Sequence, residues 1–232
     1  VDPHAPPEYC EHTAAGAGSH GRHRGFDYME LAEHTGRAGR SLFHYPKWLA
    51  ETHPDEVAGF HEYTAQGKPS GLGGGDTGAP QVAHNPMPIE HYHTHWTAQR
   101  TVDWLGKRTA DENWFCCMSF PDPHQPWDVP DDARKRFDWR DLALPAGYPG
   151  SREACEAILA TTPHHWLDWY RGKSQFNFEV PPDYVPAATT ADQIREGNAT
   201  VHATHELRHA AAGQGMESLA ERGREPGPDH LP

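Results

Sequence analysis

Apolar residues are scarce in this chain: they fill 36% of its 232 positions. No run reaches the roughly 18 apolar residues that a membrane-spanning helix needs, so the sequence predicts no membrane span. Gly and Pro, at 22 each, favour long loops over a lean core. Cysteine is sparse too. Cys10, Cys116, Cys117 and Cys155 form no Cys-x-x-Cys pair, which excludes a cysteine-rich zinc module and argues against a disulfide framework. Basic residues number 20 against 33 acidic ones, for a net charge of -13, and no basic stripe interrupts the balance. That charge excludes nucleic acid and anionic membrane as partners. Val1-Asp2-Pro3-His4 starts no signal-peptide pattern, leaving a cytoplasmic and a periplasmic parent equally consistent. Histidine, by contrast, is abundant: 19 residues make the charge sensitive to pH between about 5 and 7.

Along the chain, residues 1–25 read as loop, and a weak helical pattern runs from Ser41 to Gln66 around Trp48, Leu49 and Val57. Residues 67–80 are Gly-rich but miss the phosphate-binding pattern G-x-x-x-x-G-K-[ST] and follow no apolar strand. The expectation there is a flexible linker. Thr94 to Arg108 predicts a helix: Ala98, Val102 and Leu105 share a face, Thr94 can cap the start, and Lys107 and Arg108 suit its C-terminus. Trp114-Phe-Cys-Cys-Met-Ser-Phe120 then reads as a strand apolar on both faces, with Cys116 and Cys117 as buried thiols. Helix followed by buried strand predicts an α/β fold. Residues 121–150 form a long excursion, and its acidic run from Asp128 to Asp141 reads as surface. Glu153 to Tyr170 predicts a helix interrupted before Pro163. Thr190-Ala-Asp-Gln193 has capping-box character and opens a helix to about Arg222, against the weakening effect of Gly197 and Gly213. Residues 223–232 are disordered by composition, and no internal repeat appears.

The sharpest chemical segment is Ser119-Phe-Pro-Asp-Pro-His124-Gln-Pro126. Three alternate prolines end the predicted strand and stiffen its exit, so His124 is held on a rigid turn beyond the carboxyl end, where α/β sheets place their sites. An imidazole there can donate to an oxyanion; the alternative is a turn histidine packed by Trp127. Asp122 reads as capping the turn rather than binding metal.

Residues Trp114 to Pro130, centred on this segment, resemble the strand and turn of the sulfatases, in the alkaline-phosphatase-like superfamily. Similar stretches are Gly25–Leu31, Asp76–Pro80, Tyr92–Thr101 and Val185–Glu196, so the resemblance covers roughly residues 20–222. It implies a partial α/β/α sandwich with long loops over residues 1–222, an internal piece of a catalytic domain. It further implies that His124 contacts the sulfate group of a small sulfate ester. The parent's chemistry would rest on formylglycine, made within Cys/Ser-x-Pro-x-Arg, and on calcium. No cysteine here has Pro two positions later, and Ser119 meets Pro123 where Arg is required. Asp131-Asp132 lies after the strand rather than early, and Asp229-His230 lies in the tail, so neither takes a metal-ligand role. The expectation is an inactive chain with no cofactor of its own.

Two rival motifs bind metals in other settings. His205-Glu206-Leu207-Arg208-His209 is a literal H-E-x-x-H, which on a helix places both histidines on one face with Glu206 as general base. His202 extends that face, no H-x-x-G-x-x-H extension follows, and Glu217 is the nearest candidate third ligand. That leaves a zinc hydrolase as one alternative and a non-catalytic paralogue that binds anions or metals as another. His91-Tyr-His93-Thr-His95 would line one face of a strand, but before a helix it reads as a solvated or capping cluster.

Overall fold

The computed structural model describes residues 20–22, 25–32, 44–56, 74–109, 111–125, 127–174 and 184–220. Among them the regular elements are helices: α1 (His44–Thr52), α2 (His93–Gly106), α3 (Asp131–Arg134), α4 (Arg152–Leu159), α5 (His164–Tyr170) and α6 (Ala191–Ala220). Short 3-10 turns occupy Ile89–His91, Trp139–Asp141 and Pro186–Ala188. Among the described residues no helix is long and apolar enough to cross a membrane. The predictions for residues 1–19, Val57 to Gly73 and the 223–232 tail lie outside the described residues, as does Cys10.

The α/β sandwich expectation is overturned, because the described residues form no strand or sheet. Backbone pairing is limited to isolated bridges at Gly74–Ala79, Val82–Trp127 and Asn85–Pro130. Residues 114–120 lie outside helix and ladder, yet their burial alternates: Trp114, Cys116, Met118 and Phe120 are half-buried, while Phe115, Cys117 and Ser119 are exposed. Apolarity specifies which faces favour burial. A strand also needs a neighbouring backbone to pair with, and no described segment supplies one. Cys117 is therefore not the buried thiol expected. Burial, then the neighbouring Cys117, pushes the Cys116 thiol up, away from nucleophilic thiolate character.

The chain divides into two compact units. The first comprises residues 1–65, 86–124 and 204–232. Its core is aromatic. Tyr45 on α1 is fully buried, its hydroxyl donates to the His91 carbonyl at 2.8 Å, and its ring meets Trp96 edge-on at 5.6 Å. On α2, Ala98 and Leu105 are buried and Val102 half-buried, on the face the sequence predicted. The cap differs. Tyr92 is the N-cap without a side-chain cap bond, and the Thr94 hydroxyl donates instead to the Asp122 carboxylate.

The second unit comprises residues 66–85 and 125–203. Here α4 and α5 break on either side of Pro163, as predicted. The capping box at the start of α6 is complete: Thr190 N–H donates to Gln193 Oε1 at 2.8 Å and Gln193 N–H to Thr190 Oγ1 at 3.2 Å. Along α6, whose residues from Thr204 onward belong to the first unit, Glu196, Ala199, Thr200, Ala203, Thr204, Leu207 and Ala211 form a buried stripe at spacings of three and four. Burial of that stripe offsets the cost of three interior glycines, Gly197, Gly213 and Gly215, about 0.5–1 kcal/mol each relative to Ala.

Residues 74–79 are an ordered turn rather than flexible linker. Asp76 N–H and Thr77 N–H donate to the Glu196 carboxylate at 2.5 and 2.9 Å, and the Thr77 hydroxyl joins them. The turn thus cradles an anion, but the anion is the protein's own side chain. Gly75 adopts φ +62, and a Cβ there would lie 2.1 Å from Glu196 Oε1, so only glycine permits this approach. Arg134, 3.8 Å from the same carboxylate, also faces Asp76 at 3.5 Å. Asp128, read as surface from its charge, is fully buried, and its carbonyl accepts from Asn85 Nδ2 at 2.7 Å.

Candidate functional site

His124 stands in the first unit at the exposed end of the turn after residues 114–120, so the turn is where the sequence puts it although the sheet is not. Its backbone N–H donates to the Pro121 carbonyl at 3.1 Å, which closes the turn. Between them Asp122 is buried, 4% exposed. Its carboxylate accepts from the Tyr92 hydroxyl at 3.1 Å and from the Thr94 hydroxyl. Asp122 therefore ties the turn to the first residues of α2 rather than capping it locally. The segment around Tyr92–Thr101 and the His124 turn meet through these bonds.

His93 packs behind that anchor and is fully buried. Burial alone pushes its pKa down to about 3. Its Nδ1 lies 4.0 Å from the Asp122 carboxylate, which suggests an ion pair. The neutral ring is the better description: 4.0 Å exceeds hydrogen-bond reach, and Asp122 already accepts two hydroxyl protons. Within the His91, His93 and His95 cluster, then, His93 is a core residue, not the solvated histidine expected. The site presents one exposed imidazole on a turn fixed by a buried carboxylate. Such a group can donate a hydrogen bond to a tetrahedral oxyanion.

The H-E-x-x-H segment does lie on a helix, α6, with His205 and His209 on its exposed face. No described third ligand joins them, because the group of three potential ligands found among the described residues is elsewhere: His53, Glu56 and His91. Of these the sequence pointed only to His91. The signal it held for the others was the spacing of His53 and Glu56, three apart around Pro54 and so on one side of a single turn.

The acidic pair does not form a calcium cage. Asp131 faces His84 Nδ1 at 3.2 Å, and Asp132 pairs with Lys135 at 3.1 Å on the surface. Calcium takes six to eight oxygens, and no oxygen-rich set converges among the described residues. The residues here do not fit that ion.

No protein-family model matches the chain, and no curated protein is significantly similar to it. Among solved structures it is similar to the phosphonate monoester hydrolase of Agrobacterium radiobacter, at 19% identity and a TM-score of 0.56. The likeness covers 77% of this chain and 33% of that one, so the chain spans about a third of the hydrolase's length. At this identity the likeness is one of fold.

Proposed function

We propose that the chain is part of a hydrolase of the alkaline-phosphatase-like superfamily, and that His124 is its contribution to binding the anionic group of a sulfate ester. The observation that carries this reading is the exposed His124 on a turn anchored by buried Asp122, within the segment that most resembles the sulfatases. The fold likeness to a phosphonate monoester hydrolase supports the same class of tetrahedral oxyanion substrate. Formylglycine and calcium are assigned to the intact parent, since the sequence holds no Cys/Ser-x-Pro-x-Arg segment and no oxygen cage converges among the described residues. A lone histidine supplies hydrogen bonding or proton transfer, worth typically about 10²–10⁴-fold. Enzymes commonly reach about 10⁶-fold or more, so this chain by itself should bind anions without turning them over.

The test has two readouts. Purified chain with added calcium should release no 4-nitrophenol from 4-nitrophenyl sulfate above the rate in buffer. Sulfate should nevertheless shift the His124 ring resonances in the NMR spectrum of the same protein. Turnover that disappears in His124→Ala would sink the non-catalytic reading. Ring resonances that do not respond to sulfate would remove the anion-binding role. An aryl phosphonate monoester, run in parallel, distinguishes the two substrate chemistries.

A further inference from the structure

We propose that His53, Glu56 and His91 form a site for a divalent transition metal of the zinc type. The inference is independent of the sulfatase reading and involves neither His124 nor the H-E-x-x-H helix. Each of the three residues offers one ligand atom, and those atoms all lie within 4.8 Å of one another.

The local chain explains the convergence. His53 N–H donates to the Leu49 carbonyl at 2.8 Å, and Glu56 N–H to the His53 carbonyl at 3.0 Å. The backbone thus continues turning past α1, so that residues 53 and 56 face the same way. His91 closes the 3-10 turn Ile89–His91, held there by its N–H to the Pro88 carbonyl at 3.0 Å. That turn is pinned to α1, because the Tyr45 hydroxyl donates to the His91 carbonyl. All these residues belong to the first unit. The site is therefore built on fixed backbone rather than on chance contact of long side chains.

The side-chain geometry is that of a metal-binding cluster. His91 Nδ1 lies 2.7 and 2.8 Å from the two Glu56 oxygens. The His53 and His91 rings stack at 3.6 Å between centroids, 29° from parallel. Trp48 walls the pair, edge-on to His53 at 5.2 Å and to His91 at 6.2 Å. The His91 and Glu56 side chains are 19% and 29% exposed, so a small ion can enter while solvent competes weakly. Zinc bonds of about 2.0–2.2 Å in a tetrahedron put ligand atoms about 3.3–3.6 Å apart, so rearrangements of an ångström or so complete the site.

Donor chemistry selects the metal. Two imidazole nitrogens and one carboxylate suit zinc, cobalt, nickel or copper; calcium and magnesium prefer all-oxygen surroundings. The carboxylate also supplies negative charge for a dication. Three protein ligands leave a fourth position for water or an anion, the open arrangement of exchangeable sites rather than the closed one of structural zinc.

Cobalt(II) tests the assignment directly, through the visible absorption that tetrahedral coordination produces. Titration of metal-free full-length chain should saturate at one equivalent. Zinc should abolish the band, and excess calcium should not. His53→Ala and His91→Ala should each weaken cobalt binding by at least about tenfold, and Glu56→Gln, which keeps the side chain's shape, should weaken it too. The double variant His205→Ala/His209→Ala should bind as the unaltered chain does. Circular dichroism of each variant separates loss of ligand from loss of fold. Absence of a saturable one-equivalent band, or a band that survives in Glu56→Gln and both single alanine variants, overturns the site. So does a band lost only when His205 and His209 are replaced.

Discussion

Glu196→Ala should destabilise the second unit by about 3–5 kcal/mol, the cost typical of breaking a buried charged network by removing one partner. The Glu196 side chain is 1% exposed and accepts from two backbone amides and a hydroxyl of the 75–77 turn. Its loss leaves those three donors without their acceptor and Arg134 without a buried counter-charge. Urea denaturation of the full chain reads the loss of stability. Hydrogen exchange locates it: the Asp76 and Thr77 amides should lose protection before the α4 and α5 amides do. A change below about 1 kcal/mol would mean that the turn holds its shape without the carboxylate. Gly75→Ala acts on the same contact from the other side, because its Cβ would fall 2.1 Å from Glu196 Oε1 on a backbone with φ +62.

Acidification should destabilise the first unit through His93. In the folded protein burial pushes this imidazole down to about 3, whereas an unfolded histidine titrates near 6.5. Between those values the unfolded chain binds a proton that the folded chain refuses. Stability must therefore fall as pH drops below about 6.5, by roughly 1.4 kcal/mol per unit, and level off only near pH 3. Between pH 7 and pH 5 the contribution is roughly 2 kcal/mol. Urea midpoints of the unaltered chain and of His93→Leu separate this residue from the other histidines. The leucine variant should lose about 2 kcal/mol less over that interval; equal losses would show that His93 carries a proton in the folded protein. The effect bears on function, since His93 packs behind the Asp122 anchor of the His124 turn. Loosening the anchor at low pH would release the one exposed imidazole of the candidate site.

Much of the local structure was legible from residue order. The capping box at Thr190–Gln193, the face of α2 carrying Ala98 and Leu105, and the break at Pro163 all formed as the sequence implied. The His124 turn formed too, closed by its own backbone bond to Pro121. Each of these is decided within a few residues, because helix and turn hydrogen bonds close between positions three or four apart.

What the sequence could not decide were the pairings between distant segments. Its apolar run at 114–120 specified faces that favour burial, but a strand exists only where another backbone lies alongside, and among the described residues none does. The linker-like glycines at 74–78 became a fixed turn because Glu196, about 120 positions later, fits onto their amides. Histidine chemistry followed the same division. Residue order grouped His91, His93 and His95 by spacing alone. Packing then buried His93 as a neutral core residue and turned His91 toward His53 and Glu56, 35 positions away from the latter. Charge, proton affinity and ligand sets depend on what surrounds a side chain in space, and that surrounding is assembled only when the chain folds.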